Sequence, residues 1–177
     1  MTRSLRWTRR SGIGLSVALA AASSACLYGF AGGGLPGHIR TVAILPFDNQ
    51  TAEATLTQEV SDAIREALEG RLGLRPSSES TADAVVRGSI LRYQPNIPLA
   101  FQTAQPGQDR GDIDVTRRRI QLTISVEIRD QREGRALWER SSLTVDGEYE
   151  PPAEADGRQI ALEKLVSDIV DGAQSQW

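Results

Sequence analysis

Ile120-Gln121-Leu122-Thr123-Ile124-Ser125-Val126-Glu127-Ile128-Arg129 alternates apolar and polar side chains without a break. In a strand, successive side chains point to opposite sides, so this pattern predicts a sheet with one packed face and one wet face. Asp130 to Gly134 follows as turn chemistry, and 136–145 reads as the returning strand of a hairpin. Upstream, 84–93 (AVVRGSILRY) and 39–45 (IRTVAIL) are β-branched and apolar, and read as two further strands. Between them Leu56, Val60, Ile64, Leu68 and Leu72 recur at helical spacing, with Glu59, Asp62, Arg65, Glu66 and Glu69 on the opposite side. Thr55-x-x-Gln58 has the form of a capping box, and Gly70 or Gly73 marks the helix end. A last helix is expected after Pro151 and Pro152, capped by Asp156-x-x-Gln159. Ile160, Leu162, Leu165, Val166, Ile169, Val170 and Ala173 supply its buried face.

The predicted order is β-α-β-β-β-α. That order gives an α+β domain, a mainly antiparallel or mixed four-stranded sheet with two helices packed on one face. A polar loop is expected from 94 to about 116, because Pro95, Pro98, Pro106, Gly107 and Gly111 interrupt it; it holds one apolar patch, 97–101. Hydrophobic residues make up 40% of the chain and charged residues 24%, the balance of a globular body.

The first 25 residues differ in character. Arg3, Arg6, Arg9 and Arg10 open the chain, and 12–22 (GIGLSVALAAA) is an apolar run too short to span a bilayer. Ser23, Ser24 and Ala25 then precede Cys26, the only cysteine. This is the layout of a secretory signal peptide, and a lone thiol directly after small residues is the acceptor pattern of a lipoprotein. Such signals usually carry Leu three positions before the Cys, where this chain has Ser23. The same small residues satisfy ordinary signal peptidase, which would leave a free thiol. The expected organisation is a leader over 1–25, a flexible Gly-rich tether over 26–37 and a single domain over 38–177. Lipidation at Cys26 would add a diacylglycerol and an N-terminal acyl chain such as palmitate, each buried methylene contributing about 0.8 kcal/mol of anchoring. No Asp follows Cys26 to mark inner-membrane retention, so the outer membrane is expected.

Chemistry is sparse. Setting aside the four leader arginines leaves 16 basic and 23 acidic groups, a net charge of −7, which speaks against a general nucleic-acid binder. His38 is the single histidine, with no second His or Cys to share a zinc site, and reads as a solvated loop residue. No G-x-S-x-G, phosphate loop or G-x-G-x-x-G occurs, Gly32 to Gly34 reads as linker, and no nucleophile–base pair suggests an enzyme. Asp48 is expected to form a turn beside Asn49, and Asn49-Gln50-Thr51 matches a glycosylation tripeptide that a bacterial leader makes irrelevant. Arg117, Arg118 and Arg119 form the densest basic run. They are either a solvated strand start that discourages edge pairing or an anion contact, since guanidinium matches phosphate geometry. Arg117 and Arg119 share the polar phase, Arg118 opposes it, and Arg87 and Arg92 could join them.

Several stretches together carry a resemblance. They are Cys26-Leu27-Tyr28-Gly29-Phe30, Leu35-Pro36, Ile39-Arg40-Thr41-Val42-Ala43-Ile44 and Pro46-Phe47-Asp48-Asn49-Gln50-Thr51, followed by Leu56-Thr57 with Val60. Ala82-Asp83-Ala84-Val85-Val86, Gly88, Ile90, Tyr93 and the Leu137-Trp138 hairpin complete the set. In this order the chain resembles the lipopolysaccharide-assembly lipoproteins of the LptE family, in the branch found outside the proteobacteria. The resemblance implies a small sheet packed by two helices and a non-catalytic role. It implies an anchor in the inner leaflet of the outer membrane and a place as plug inside the LptD β-barrel. There such a protein assists barrel assembly and lipopolysaccharide delivery to the cell surface. It also implies that basic residues near strand ends touch lipopolysaccharide phosphates, for which Arg117, Arg118 and Arg119 are the candidates. No cofactor is implied. The strand ending in Pro46-Phe47 is similar as well to periplasmic lipoproteins that activate peptidoglycan synthases and to curli-secretion lipoproteins, which is the competing expectation.

Overall fold

The central strand is the one its alternation predicts, and it is longer than expected. A computed structural model describes residues 34–102 and 114–175. Cys26, the leader and most of the tether lie outside those residues. In chain order the elements are β1 (Thr41–Ile44), β2 (Asp48–Asn49), α1 (Leu56–Leu72), β3 (Arg75–Pro76), β4 (Ala84–Gln102), β5 (Asp114–Asp130), β6 (Ala136–Tyr149) and α2 (Glu154–Ser175). The class is α+β with two helices, but the sheet has six strands in place of four. Its order is β3-β1-β4-β5-β6, with β2 also pairing β4. The two additional strands are two-residue parallel pairings, Thr41 with Arg75 and Asp48 with Ser89, too short to carry a periodicity. β1 runs parallel to β4 and α1 lies in the crossover between them, while β4, β5 and β6 form an antiparallel meander.

Ile120, Leu122, Ile124, Val126 and Ile128 are all buried, and from Leu122 to Ile128 they share one core with Ala84, Val86 and Ile90 of β4, Leu56, Val60, Ile64 and Leu68 of α1 and the buried residues of α2. In α2 the buried stripe is Ala161, Leu165, Val166, Ile169, Val170 and Ala173, whereas Ile160, expected inside, is 39% exposed. The helix starts at Glu154, so Asp156 lies within its first turn and is not its cap, and Gly157 is already buried. The capping box at α1 is also absent. Thr55 is already helical (φ −68°, ψ −25°), its hydroxyl donates to Glu53 (2.7 Å), and Gln58 reaches forward to Asp62 (3.3 Å). The other end follows the expectation, with Gly73 at φ 66° donating its N–H to the Leu68 carbonyl.

Two glycines let α2 sit directly on β6. A Cβ at Gly147 would stand 1.9 Å from the Gly157 carbonyl oxygen, and one at Gly172 would stand 2.3 Å from Nε1 of the buried Trp138. Close packing here seals the apolar face of the hairpin.

The expected loop over 94–116 is largely strand. β4 continues to Gln102 and β5 begins at Asp114, paired as Ile97 with Arg119, Pro98 with Arg118 and Ala100 with Arg117. Past Ile90 no strand among the described residues pairs the far side of β4, so a proline can lose its N–H there without breaking a ladder. Register shifts at Gln94/Ile97 and Pro98/Ala100 absorb the irregularity. The result is an extension of the sheet beyond Tyr93, three-stranded as far as Arg118 opposite Tyr149 and two-stranded past it.

Candidate functional site

Because β5 alternates and both helices pack on its even-numbered side, its odd positions open outward with their neighbours on β4 and β6. Near the hairpin end, Glu127 sits between two guanidinium groups. Arg87 and Arg129 each approach it at 2.7 Å, and it is only 14% exposed. Burial would raise its pKa, but the hydrogen bonds from Arg87 and Arg129 outweigh that and hold it below the ordinary glutamate range. The middle of the face is a band of hydroxyls. Thr123 and Thr144 are bonded across strands (3.0 Å), and the Ser89 N–H donates to Ser125 Oγ (3.2 Å). At the other end Arg117 faces Glu148 (3.8 Å), and Arg119 lies between Asp146 and Glu148 (3.7 Å each). Asp146 is shared with Lys164 of α2 (3.6 Å).

The expected arginine run is therefore split by the pleat. Arg117 and Arg119 join the outer ionic ladder at separations beyond hydrogen bonding, and Arg119 Nε is buried without a hydrogen-bond partner. Arg118 turns to the other side and donates to Asn96 Oδ1 (3.0 Å). Asn96 also accepts from the Tyr149 hydroxyl (2.9 Å), which reaches the Pro95 carbonyl as well (2.9 Å). Arg87 does not join them, since it pairs opposite Glu127, eight residues along β5 from Arg119, or roughly 27 Å at strand spacing. Arg92 pairs opposite Thr123, at the middle of the face.

His38 departs from expectation. In place of a purely solvated ring, its Nε2 lies 2.6 Å from Oδ2 of Asp130, a carboxylate with no exposed surface. Asp130 Oδ1 accepts the N–H groups of Arg132 (2.7 Å) and Glu133 (3.1 Å), closing the β5–β6 turn. Burial would raise the Asp130 pKa; the Glu133 N–H, His38 and the Arg132 N–H together hold it below the usual carboxylate value. Next to it, Asp83 Oδ2 accepts from the N–H of Arg40 and of Thr41 (3.1 Å each) and from the Thr41 hydroxyl (2.9 Å), and Asp83 pairs with Arg132 (3.2 Å). Sequence gave no signal for this junction, because its members are 92 and 43 positions apart. His38, Asp130 and Glu133 do offer one nitrogen and two carboxylates within 4.8 Å, but Asp130 is engaged by His38 and Glu133 by Arg135. The cluster is an ion-pair junction in form.

The remaining candidates are structural. Asp48 is exposed, and it is Asn49 that builds the turn, accepting from Thr51 N–H (2.9 Å) and hydroxyl (2.8 Å) and donating to the Glu53 carbonyl (2.8 Å). Tyr93 donates to Glu154 (3.2 Å) where β4 passes the start of α2, and burial pushes its phenol up to about 12.

Set against known proteins, the family model described as "LptE: Lipopolysaccharide-assembly" matches residues 39–175. No curated protein matches the chain. Among solved structures the chain is similar to a PelC dodecamer from Paraburkholderia phytofirmans, with 13% identity and a TM-score of 0.52. That likeness covers 80% of this chain and 91% of the other. It is similar also to a Xanthomonas campestris protein of the DUF330 family, with 11% identity and a TM-score of 0.51, covering 81% and 90%. Likeness at this level of identity speaks for the fold.

Proposed function

The chain belongs to the lipopolysaccharide-assembly LptE family, a non-enzymatic lipoprotein family, and on that premise we propose that it plugs an LptD-type outer-membrane β-barrel. In this reading lipid on Cys26 holds it to the periplasmic side of the outer membrane. The domain assists assembly of the barrel and the delivery of lipopolysaccharide through it. The observation that carries the reading is the extent of the family match, which begins at Ile39, runs through both helices and all six strands, and ends at Ser175.

Two physical features support it. A domain enclosed by a barrel must meet a polar lumen, and the outward, odd-numbered positions of β5 from Arg117 to Arg129 are all polar. Arg117, half exposed, stands 3.8 Å from Glu148, so its N–H groups remain available to an anion with better geometry, and the neighbouring Arg119 adds positive charge although its Nε is buried. We place lipopolysaccharide phosphate there, with Arg118 holding the extension rigid through Asn96.

The reading is tested by purifying the tagged full-length chain from native membranes and identifying what accompanies it. An LptD-type barrel in equal amount is the expected result. A penicillin-binding protein in its place would support the peptidoglycan-synthase-activator alternative.

A further inference from the structure

The last strand of the sheet, β6, is paired by β5 on one side, and among the described residues no strand pairs the other. We propose that this unpaired side of β6, together with the groove between it and α2, takes up an extended segment of a partner protein as a further strand, one that turns an apolar and then basic side chains toward α2. The proposal goes beyond the plug reading and stands whether or not the partner is a barrel.

The backbone of β6 shows which groups are on offer. Asp146 lies opposite Gln121 of β5, yet its carbonyl accepts from Lys164 Nζ of α2 (2.7 Å). In an antiparallel pair the N–H and C=O of one residue point to the same side, and that side alternates along the strand. Thr144 and Glu148 therefore turn theirs away from β5 together with Asp146. Among the described residues no backbone group from another element bonds to them. Lys164, half exposed and also 3.6 Å from the Asp146 carboxylate, covers the carbonyl in the way lysines blunt sheet edges. A flexible side chain is a cover that an incoming N–H replaces.

Beside this edge α2 presents Ile160, Glu163, Ser167 and Asp168 along one helix face, and with Thr144 and Asp146 of β6 they border a groove of about 440 Å³. Ile160 is the large hydrophobic residue that α2 leaves outside the core, 39% exposed. The groove is acidic, with Asp146, Glu163 and Asp168 set against Lys164, and Glu163 and Asp168 are exposed. Its occupant follows from this pattern. Side chains on one side of a strand repeat every ~7 Å, and Ile160 to Asp168 advances about 12 Å along the helix axis. One side chain of an added strand then stands over Ile160, and the next two on the same side reach the acids. The first is apolar and the others are basic. The same acids repel an anionic lipid or a nucleic acid, and neither carries the regularly spaced N–H and C=O groups that a sheet edge takes up.

The test uses the full-length chain with the blocked synthetic peptide Thr-Val-Thr-Lys-Thr-Lys-Thr and its reversed sequence, and reads amide hydrogen exchange in β6. The expected result is several-fold slower exchange at Thr144 and Asp146 with one of the two peptides. The effect should disappear when that peptide carries N-methyl groups on its edge-facing amides, and weaken when Glu replaces its Lys. Two exposed positions give the matching variants. Ile160→Ser should weaken binding several-fold, and Lys164→Ala, which uncovers the Asp146 carbonyl, should strengthen it. Unchanged exchange in both the wild type and Lys164→Ala overturns the proposal, as does equal slowing by the N-methylated peptide. Protection of Thr144 that rises with protein concentration in the absence of peptide also overturns it, because the edge then belongs to a second copy of the chain. None of these outcomes bears on whether a barrel accompanies the protein.

Discussion

His38 Nε2 and Asp130 Oδ2 lie 2.6 Å apart, joining the segment that leads into the domain to the turn that closes its central hairpin. The carboxylate is fully buried and serves both partners at once, one oxygen to the imidazole and the other to two backbone N–H groups. Replacing Asp130 by Ala leaves those groups unpaired and is expected to cost about 2 kcal/mol or more. Asp130→Asn keeps an oxygen for the turn and is expected to cost less. Urea denaturation of the two variants gives the ranking.

The pH dependence follows from the same carboxylate. Its folded pKa is depressed relative to the unfolded chain, so its stabilising contribution is complete above the unfolded carboxylate value of about 3.9 and is lost as pH falls through the lower folded value. Glu127, depressed by Arg87 and Arg129, acts in the same direction. Stability of the wild type should therefore drop on acidification below about pH 4, and Asp130→Asn should flatten that limb. Thermal melts between pH 2 and 6, roughly the range that brackets these groups, measure it.

Gly147 and Gly70 predict opposite signs for the same change. A Cβ at Gly147 runs into the Gly157 carbonyl, so Gly147→Ala should lose about 3 kcal/mol, because backbone meets backbone and neither side can rotate away. Gly70 lies inside α1 with nothing within 4 Å of a Cβ, so Gly70→Ala should gain about 0.5–1 kcal/mol from helix propensity. Paired melting curves would show one shift down and one shift up.

Arg117 and Arg119 are expected to bind anions and Arg118 to brace the strand extension. Arg117→Ala with Arg119→Ala should weaken retention of lipopolysaccharide several-fold and reduce its salt sensitivity, without altering the melting temperature appreciably. Changing Arg118 alone should chiefly loosen the 94–100 segment, read by hydrogen exchange. Unchanged lipopolysaccharide binding after replacement of all three removes the anion contact.

Lipid attachment has its own readout. The intact mass of the native protein should show Cys26 carrying a diacylglycerol and an N-terminal acyl chain, and Cys26→Ser should move the protein from membranes to the soluble envelope fraction. An unmodified sulfur in the native protein contradicts the anchor.

How much of this was legible in the sequence depends on the range of the interactions. The alternation from Ile120 to Arg129 and the helical spacing from Leu56 to Leu68 are local records of one-sided burial, and both predict their elements correctly. The strand extension was not legible, because Pro95 and Pro98 read as breakers wherever both sides of a strand must be paired. Here the pairing comes from β5, and the other side of β4 needs no ladder. The start of α1 falls just after Thr55 as expected, although Thr55 makes no capping bond because its backbone is already helical; the start of α2 was placed too late, because Asp156 has the right identity for a cap while the helix already begins at Glu154. In the candidate site, the opposed phases of Arg117 and Arg118 follow from the pleat alone. The acids that meet Arg117 and Arg119 depend on the β5–β6 register, and the His38 junction depends on three segments converging; neither is written in any local pattern.

The most direct measurement is depletion of this protein from its own organism, followed by the amount of correctly assembled LptD-type barrel in the outer membrane and of lipopolysaccharide at the cell surface. Both should fall together, and both should return on expression of the wild-type chain. Barrel assembly and surface lipopolysaccharide that persist unchanged in depleted cells would contradict a plug role.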